Sequence, residues 1–138
     1  MPLRDIGWRA MASNISDLAA MGARPLLSTV ALALPAGTAN PDVLELYRGM
    51  LDVASRSGIA ISGGDITRAS EMMISITAIG EARSTHVKGR GGARPGDIVA
   101  VTGPLGASRA GLHLADNVNM LNDDLAAQAL AAHRPGLL

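Results

Sequence analysis

The stretch Leu26-Leu27-Ser28-Thr29-Val30-Ala31-Leu32-Ala33-Leu34 decides the fold: it has the apolar, β-branched make-up of a strand and is stopped by Pro35. Beyond it, Asn40-Pro41-Asp42 carries the signals of a helix start, with Asn as N-cap, Pro in first position and an acid in the first turn. Val43, Leu44, Tyr47, Leu51 and Ala54 then share one face of a helix ending at Gly58. Ile59–Ser62 follows as a short buried strand running into Gly63-Gly64-Asp65. Strand, helix and strand in that order predict a sheet with a helix laid on it.

Working outward, Ile6–Met21 reads as a helix, since Trp8, Met11, Ile15, Leu18 and Met21 recur at helical spacing and Gly22 supplies the stop. On the other side Met72–Ile79 alternates as a strand, with Met72, Ile74, Ile76 and Ala78 on one side. A Gly- and Arg-rich loop spans Arg83–Gly96, and a strand is predicted at Asp97–Val101. Helices are expected at Ala107–Asp116 and Asp123–His133. The order predicts an α+β fold: a mixed or antiparallel sheet with helices on one face, plus the start of a second α/β domain. The crowding of glycines, Pro95 and charges puts the boundary in that loop, dividing the chain into residues 1–90 and 91–138.

Composition narrows the function classes. The chain has 138 residues, 48% of them hydrophobic and 17% charged, enough for a packed core. Twelve basic and twelve acidic residues cancel, which leaves no electrostatic footprint for nucleic acid or an anionic membrane. Trp8 and Tyr47 stand alone and Phe is absent, so single-strand stacking platforms are missing too. The absence of cysteine excludes disulfides, thiolate metal sites and thiol nucleophiles. No apolar run is long enough for a membrane span, and Met1-Pro2-Leu3-Arg4-Asp5 is not a signal peptide, so a soluble cytoplasmic domain is expected.

Three constellations could carry chemistry. In the first, Asn14 and Asp17 share a helical face near Ser16, all poor residues for a helix interior. They suit a hard-cation site for Mg²⁺, although spacing alone favours a polar face turned to water. In the second, Ser62-Gly63-Gly64-Asp65-Ile66-Thr67-Arg68, the paired glycines let the backbone approach a phosphate whose metal Asp65 would hold. A tight hairpin turn would use the same residues. In the third, Arg90-Gly91-Gly92-Ala93-Arg94-Pro95-Gly96-Asp97, Arg90 could fork onto a phosphate from a small-residue loop, while Arg94–Asp97 reads as a Pro-Gly turn.

Other motifs fail. Gly103, Gly106 and Gly111 lack the dinucleotide-binding spacing, and with Lys88 as the sole lysine there is no P-loop. His86, His113 and His133 have no metal-ligand spacing, and no G-x-S-x-G elbow supports a serine triad.

Taken in order, Asn14–Pro25, Gly63–Arg68 and Arg90–Asp97 resemble the motifs of the thiamine-monophosphate kinase family, within the aminoimidazole-ribonucleotide synthetase-like superfamily. Val101-Thr102-Gly103 with Gly106, Ser108, Ala110 and Gly111 is similar to the opening of that family's second domain. The resemblance implies ATP and Mg²⁺ as cofactors, with Asp17 and Asp65 as metal ligands and Gly64, Asp65, Arg90 and Tyr47 at the nucleotide. It implies transfer of the ATP γ-phosphoryl to thiamine monophosphate, giving thiamine diphosphate. Clustered carboxylates without a nucleophile suit such a reaction, which needs positioning and charge neutralisation.

The family also carries an upstream Gly-Asp-Asp segment and a downstream Asp-Gly-Leu motif, neither present here, so the chain resembles a central portion. Family members resemble homodimers joined through first-domain sheets. An exposed sheet edge therefore predicts self-association or instability of the chain alone. Two alternatives stand beside the kinase: a selenophosphate- or aminoimidazole-ribonucleotide-synthetase-type enzyme, and a non-catalytic dimerisation or nucleotide-binding remnant.

Overall fold

A computed structural model describes residues 1–101, 103, 105–116 and 128. It contains two compact units, Met1–Gly92 and Ala93–Leu138.

The first unit holds helix α1 (Leu3–Ala20), strand β1 (Arg24–Leu34), helix α2 (Asn40–Ser57) and strands β2 (Ala60–Arg68) and β3 (Met73–Glu81). The sheet is mixed, in the order β2-β1-β3: β1 is parallel to β2 and antiparallel to β3. β2 and β3 are successive in the chain yet lie on opposite sides of β1. The connection 69–72 passes the end of β1, where the Ala69 N–H donates to the Leu34 carbonyl at 3.0 Å.

The period of two in β1 explains where the core lies. Ser28, Val30, Leu32 and Leu34 are buried while Thr29 and Ala31 are exposed, so one face is covered and the other bare. Met11 of α1 and Leu46, Met50, Val53 and Ala54 of α2 complete the core with Ile59, and Ile74, Ile76 and Ala78 of β3 pack against it. Both helices therefore cover the same face.

α1 and α2 approach closely because glycines meet backbone. A Cβ on Gly7 would lie 1.9 Å from the Leu46 carbonyl oxygen. Arg4 Nε and Nη2 also donate to one Asp52 carboxylate oxygen, at 2.9 and 2.7 Å, which raises the Arg4 guanidinium above its ordinary value.

Several expectations need correction. The buried face of α2 is Leu46, Gly49, Met50, Val53 and Ala54, whereas Leu44 and Leu51 are exposed. The close approach of α1 at Gly49 turns the helix to that side. Asn40 is not the N-cap: Ala39 holds that position without a side-chain hydrogen bond, and Asn40 begins the helix. The strand expected at Ile59–Ser62 is longer and runs through both glycines to Arg68, mostly exposed.

In the second unit, Arg94-Pro95-Gly96-Asp97 is a turn, with Gly96 at φ +99° and the Asp97 N–H donating to the Arg94 carbonyl. The strand expected at Asp97–Val101 is absent. Its residues have no pairing strand among the described residues, and Ile98 and Val99 are each 93% exposed. Helix α3 (Ala107–Asp116) forms as expected. The expected helix Asp123–His133 lies, Gln128 aside, outside the described residues.

Candidate functional site

β2 is an edge strand, and its outer side with α2 bounds an open cavity of about 450 Å³. Tyr47, Ile61, Ser62, Gly63, Gly64, Asp65 and Ile66 line it. Tyr47, Gly64 and Asp65, three of the residues singled out in the sequence, therefore share one cavity. A second cavity of about 560 Å³ shares Ile66 and continues past Leu34, Thr38, Val43, Leu44 and Arg68. The sequence reading missed that extension, whose apolar residues carry no motif.

A break in register shapes the first cavity. Ser28 pairs with Ile61 but Thr29 pairs with Gly63, so Ser62 is an extra residue bulging from β2. Beyond the bulge Asp65 pairs with Ala31, whose side chain is exposed on the bare face. Gly64 lies so close to β1 that a Cβ there would stand 1.8 Å from the Val30 carbonyl oxygen. Only glycine fits that approach. The hairpin alternative for Gly63–Asp65 fails, because these residues pair with β1 inside a strand.

Asp17 occupies the last turns of α1, exposed, and does not line that cavity. Its neighbour Asn14 donates its side-chain N–H to the Ala10 carbonyl at 2.9 Å, which leaves the amide oxygen free of that bond. Arg90 belongs to the exposed loop after β3. The Lys88 N–H ties this loop to the Met21 carbonyl at 3.0 Å, so it is anchored where α1 ends.

Among the described residues neither Asp17 nor Asp65 forms an ion pair or a side-chain hydrogen bond. Free hard-oxygen carboxylates of this kind fit Mg²⁺, which commonly takes one or two carboxylates and completes its shell with water and phosphate. No group of three or more His, Cys, Asp or Glu among the described residues could hold a metal alone. Nor is any described helix long and apolar enough to cross a membrane.

Comparison with known proteins agrees with this architecture. Residues 1–82 match the family model for AIR synthase related protein, N-terminal domain. The chain is 47% identical over 113 residues to a thiamine-monophosphate kinase of Rhodopirellula baltica, covering 81% of this chain but 35% of that protein. It superimposes on AaThiL complexed with AMPPCP and TMP with a TM-score of 0.88 at 32% identity, covering 98% of this chain and 43% of that one. For thiamine-monophosphate kinase from Stenotrophomonas maltophilia the TM-score is 0.84 at 35% identity, covering 98% and 44%. The chain thus spans 35–44% of the length of these relatives. With its mixed sheet, its covering helices and the match over residues 1–82, the chain belongs to the AIR synthase related protein family, through that family's N-terminal domain.

Proposed function

We propose that the protein to which this chain belongs phosphorylates thiamine monophosphate with ATP, giving thiamine diphosphate. The observation that carries the reading is the cavity in which Tyr47, Gly64 and Asp65 stand together beside the bulge of β2. Similarity to thiamine-monophosphate kinases, including one complexed with AMPPCP and TMP, supports the nucleotide and the acceptor.

On this reading Tyr47 lies beside the nucleotide and Gly64 lets the β2 backbone approach it. Arg90 forks onto a phosphate from its anchored loop, a bidentate contact that suits guanidinium. Asp17 and Asp65 hold Mg²⁺, which would neutralise charge on the transferring phosphoryl group. Residues 1–90 are then part of an ATP- and Mg²⁺-binding domain and 91–138 the start of a second. The bare sheet face, with Met73 67% and Ile79 50% exposed, supports a homodimer joined through that face, and the enzyme on this reading is cytoplasmic.

The test is product formation by the full-length protein supplied with Mg²⁺–ATP and thiamine monophosphate. Thiamine diphosphate and ADP in equal amounts are expected. ATP consumption only with selenide or an aminoimidazole precursor would assign the protein to a synthetase of the same superfamily and overturn the kinase reading.

A further inference from the structure

Ser28 is out of place in a hydrophobic core. It stands on the covered face of β1, it is 0% exposed, and it is the one buried polar side chain among the described residues. A strand position of this kind is ordinarily filled by Val, Ile, Leu or Ala, because a buried hydroxyl carries a desolvation cost unless it is hydrogen-bonded. Ser28 Oγ meets that cost by donating to the Ala60 carbonyl at 3.3 Å. Ala60 begins β2, and the bond crosses the β1–β2 ladder beside the register shift between Ser28 and Thr29.

That shift decides where Asp65 stands. With Ser62 bulged out, Gly63, Asp65 and Thr67 pair with Thr29, Ala31 and Ala33. A slip of one residue would carry Asp65 to the opposite face, because side chains alternate with a period of two. Without the bulge Gly63 would stand opposite Val30 in place of Gly64, so the close approach there accepts either register. The choice of register therefore falls to the ladder before the shift, where the Ser28 hydroxyl holds the Ala60 carbonyl.

We propose that Ser28 is a positioning residue for Asp65, fixing through the Ala60 carbonyl the bulge that presents the Asp65 carboxylate. The inference rests on the reading of Asp65 as a ligand of the ATP-bound cation.

The test compares wild type, Ser28→Ala and Ser28→Cys in the full-length protein, each also carrying Asp65→Asn. Two quantities are read: the affinity for Mg²⁺–AMPPCP, and the NMR amide positions of Gly63, Gly64 and Asp65 with the cross-strand contact from Asp65 to Ala31. Ser28→Ala is expected to move those amides and to weaken AMPPCP binding by up to about tenfold, the upper end for one lost neutral hydrogen bond. Ser28→Cys, close in volume and a weaker donor, is expected to fall between. With Asp65 already replaced, Ser28→Ala should cost less than about twofold more, since coupled residues are not additive. Unmoved amides and unchanged affinity, or an equal loss in the Asp65→Asn background, would overturn the proposal even if the melting temperature fell. If wild type bound no AMPPCP, the nucleotide reading would fall, while the amide positions would still decide whether Ser28 sets the register.

Discussion

The α-carbon of Gly49 lies against the carbonyl of Arg4, so that a methyl group there would sit 1.8 Å from the oxygen and 2.8 Å from the Trp8 nitrogen. Helix propensity alone would make Gly49→Ala stabilising by about 1 kcal/mol. The contact reverses the sign. The expected result is a loss of about 1–3 kcal/mol, the ordinary range for overpacking, and a fall in melting temperature of at least several degrees. Gly7→Ala should behave alike, and thermal unfolding followed by circular dichroism measures both.

Gly64→Ala has a similar origin and a different consequence. The methyl would meet Val30 backbone in the neighbouring strand rather than in a helix, so β2 must lift from β1. AMPPCP affinity is expected to fall by at least about tenfold, equivalent to ~1.4 kcal/mol, together with stability. Gly63→Ala, with open space around its Cβ, should cost less in both. Calorimetric titration of the two variants side by side gives the comparison.

For Asp17→Asn and Asp65→Asn the expectation is catalytic. On the proposed metal-site reading each replacement removes a charge from the cation's shell, and kcat should fall on the order of 10²–10³. Among the described residues neither carboxylate forms an ion pair, so the melting temperature without Mg²⁺ should scarcely change. Unchanged kcat in both variants would remove them from the metal site.

Chelation separates the nucleotide-bound metal from any metal needed for folding. With no described cluster able to hold a cation alone, EDTA should leave the melting temperature of the nucleotide-free protein as it was. It should abolish the stabilisation given by AMPPCP, about 2.7 kcal/mol at a hundredfold excess over Kd. Differential scanning calorimetry with and without EDTA reads both.

The bare sheet face yields a prediction about assembly. Met73→Lys and Ile79→Lys place charges among exposed apolar side chains, and neither position belongs to the covered core. Sedimentation should show the proposed dimer of the full-length protein dissociating at micromolar concentrations, with the monomer still folded. A dimer unmoved by both changes would place its interface elsewhere.

Much of this was legible in the sequence, and the exceptions share a cause. α1, β1 and β3 announce themselves by period and by the stops at Gly22 and Pro35, which are local signals. The end of β2 was misread because paired glycines ordinarily break a strand, whereas Gly64 is there for contact with Val30, a tertiary reason invisible in one dimension. The face of α2 was misread because Leu44 and Leu51 are apolar, while Gly49, the residue that turns the helix, carries no side chain to notice. Ile98–Val101 has the composition of a strand but no described strand to pair with. At the site, the residue types were readable as motifs. That Tyr47, Gly64 and Asp65 share a cavity, and that Asp17 stands outside it, depends on the bulge and on helix placement.

The central place of β1 bears on how the molecule comes together. Because β2 and β3 flank β1 rather than each other, the four-residue link between them cannot nucleate a hairpin. Every rung of the ladder waits for β1, and the β2 rungs also wait until the eighteen residues of α2 have looped back. Sheet formation therefore begins with long loop closures instead of a local zipper, and the refolding rate should follow that topology more than the strands' own propensities.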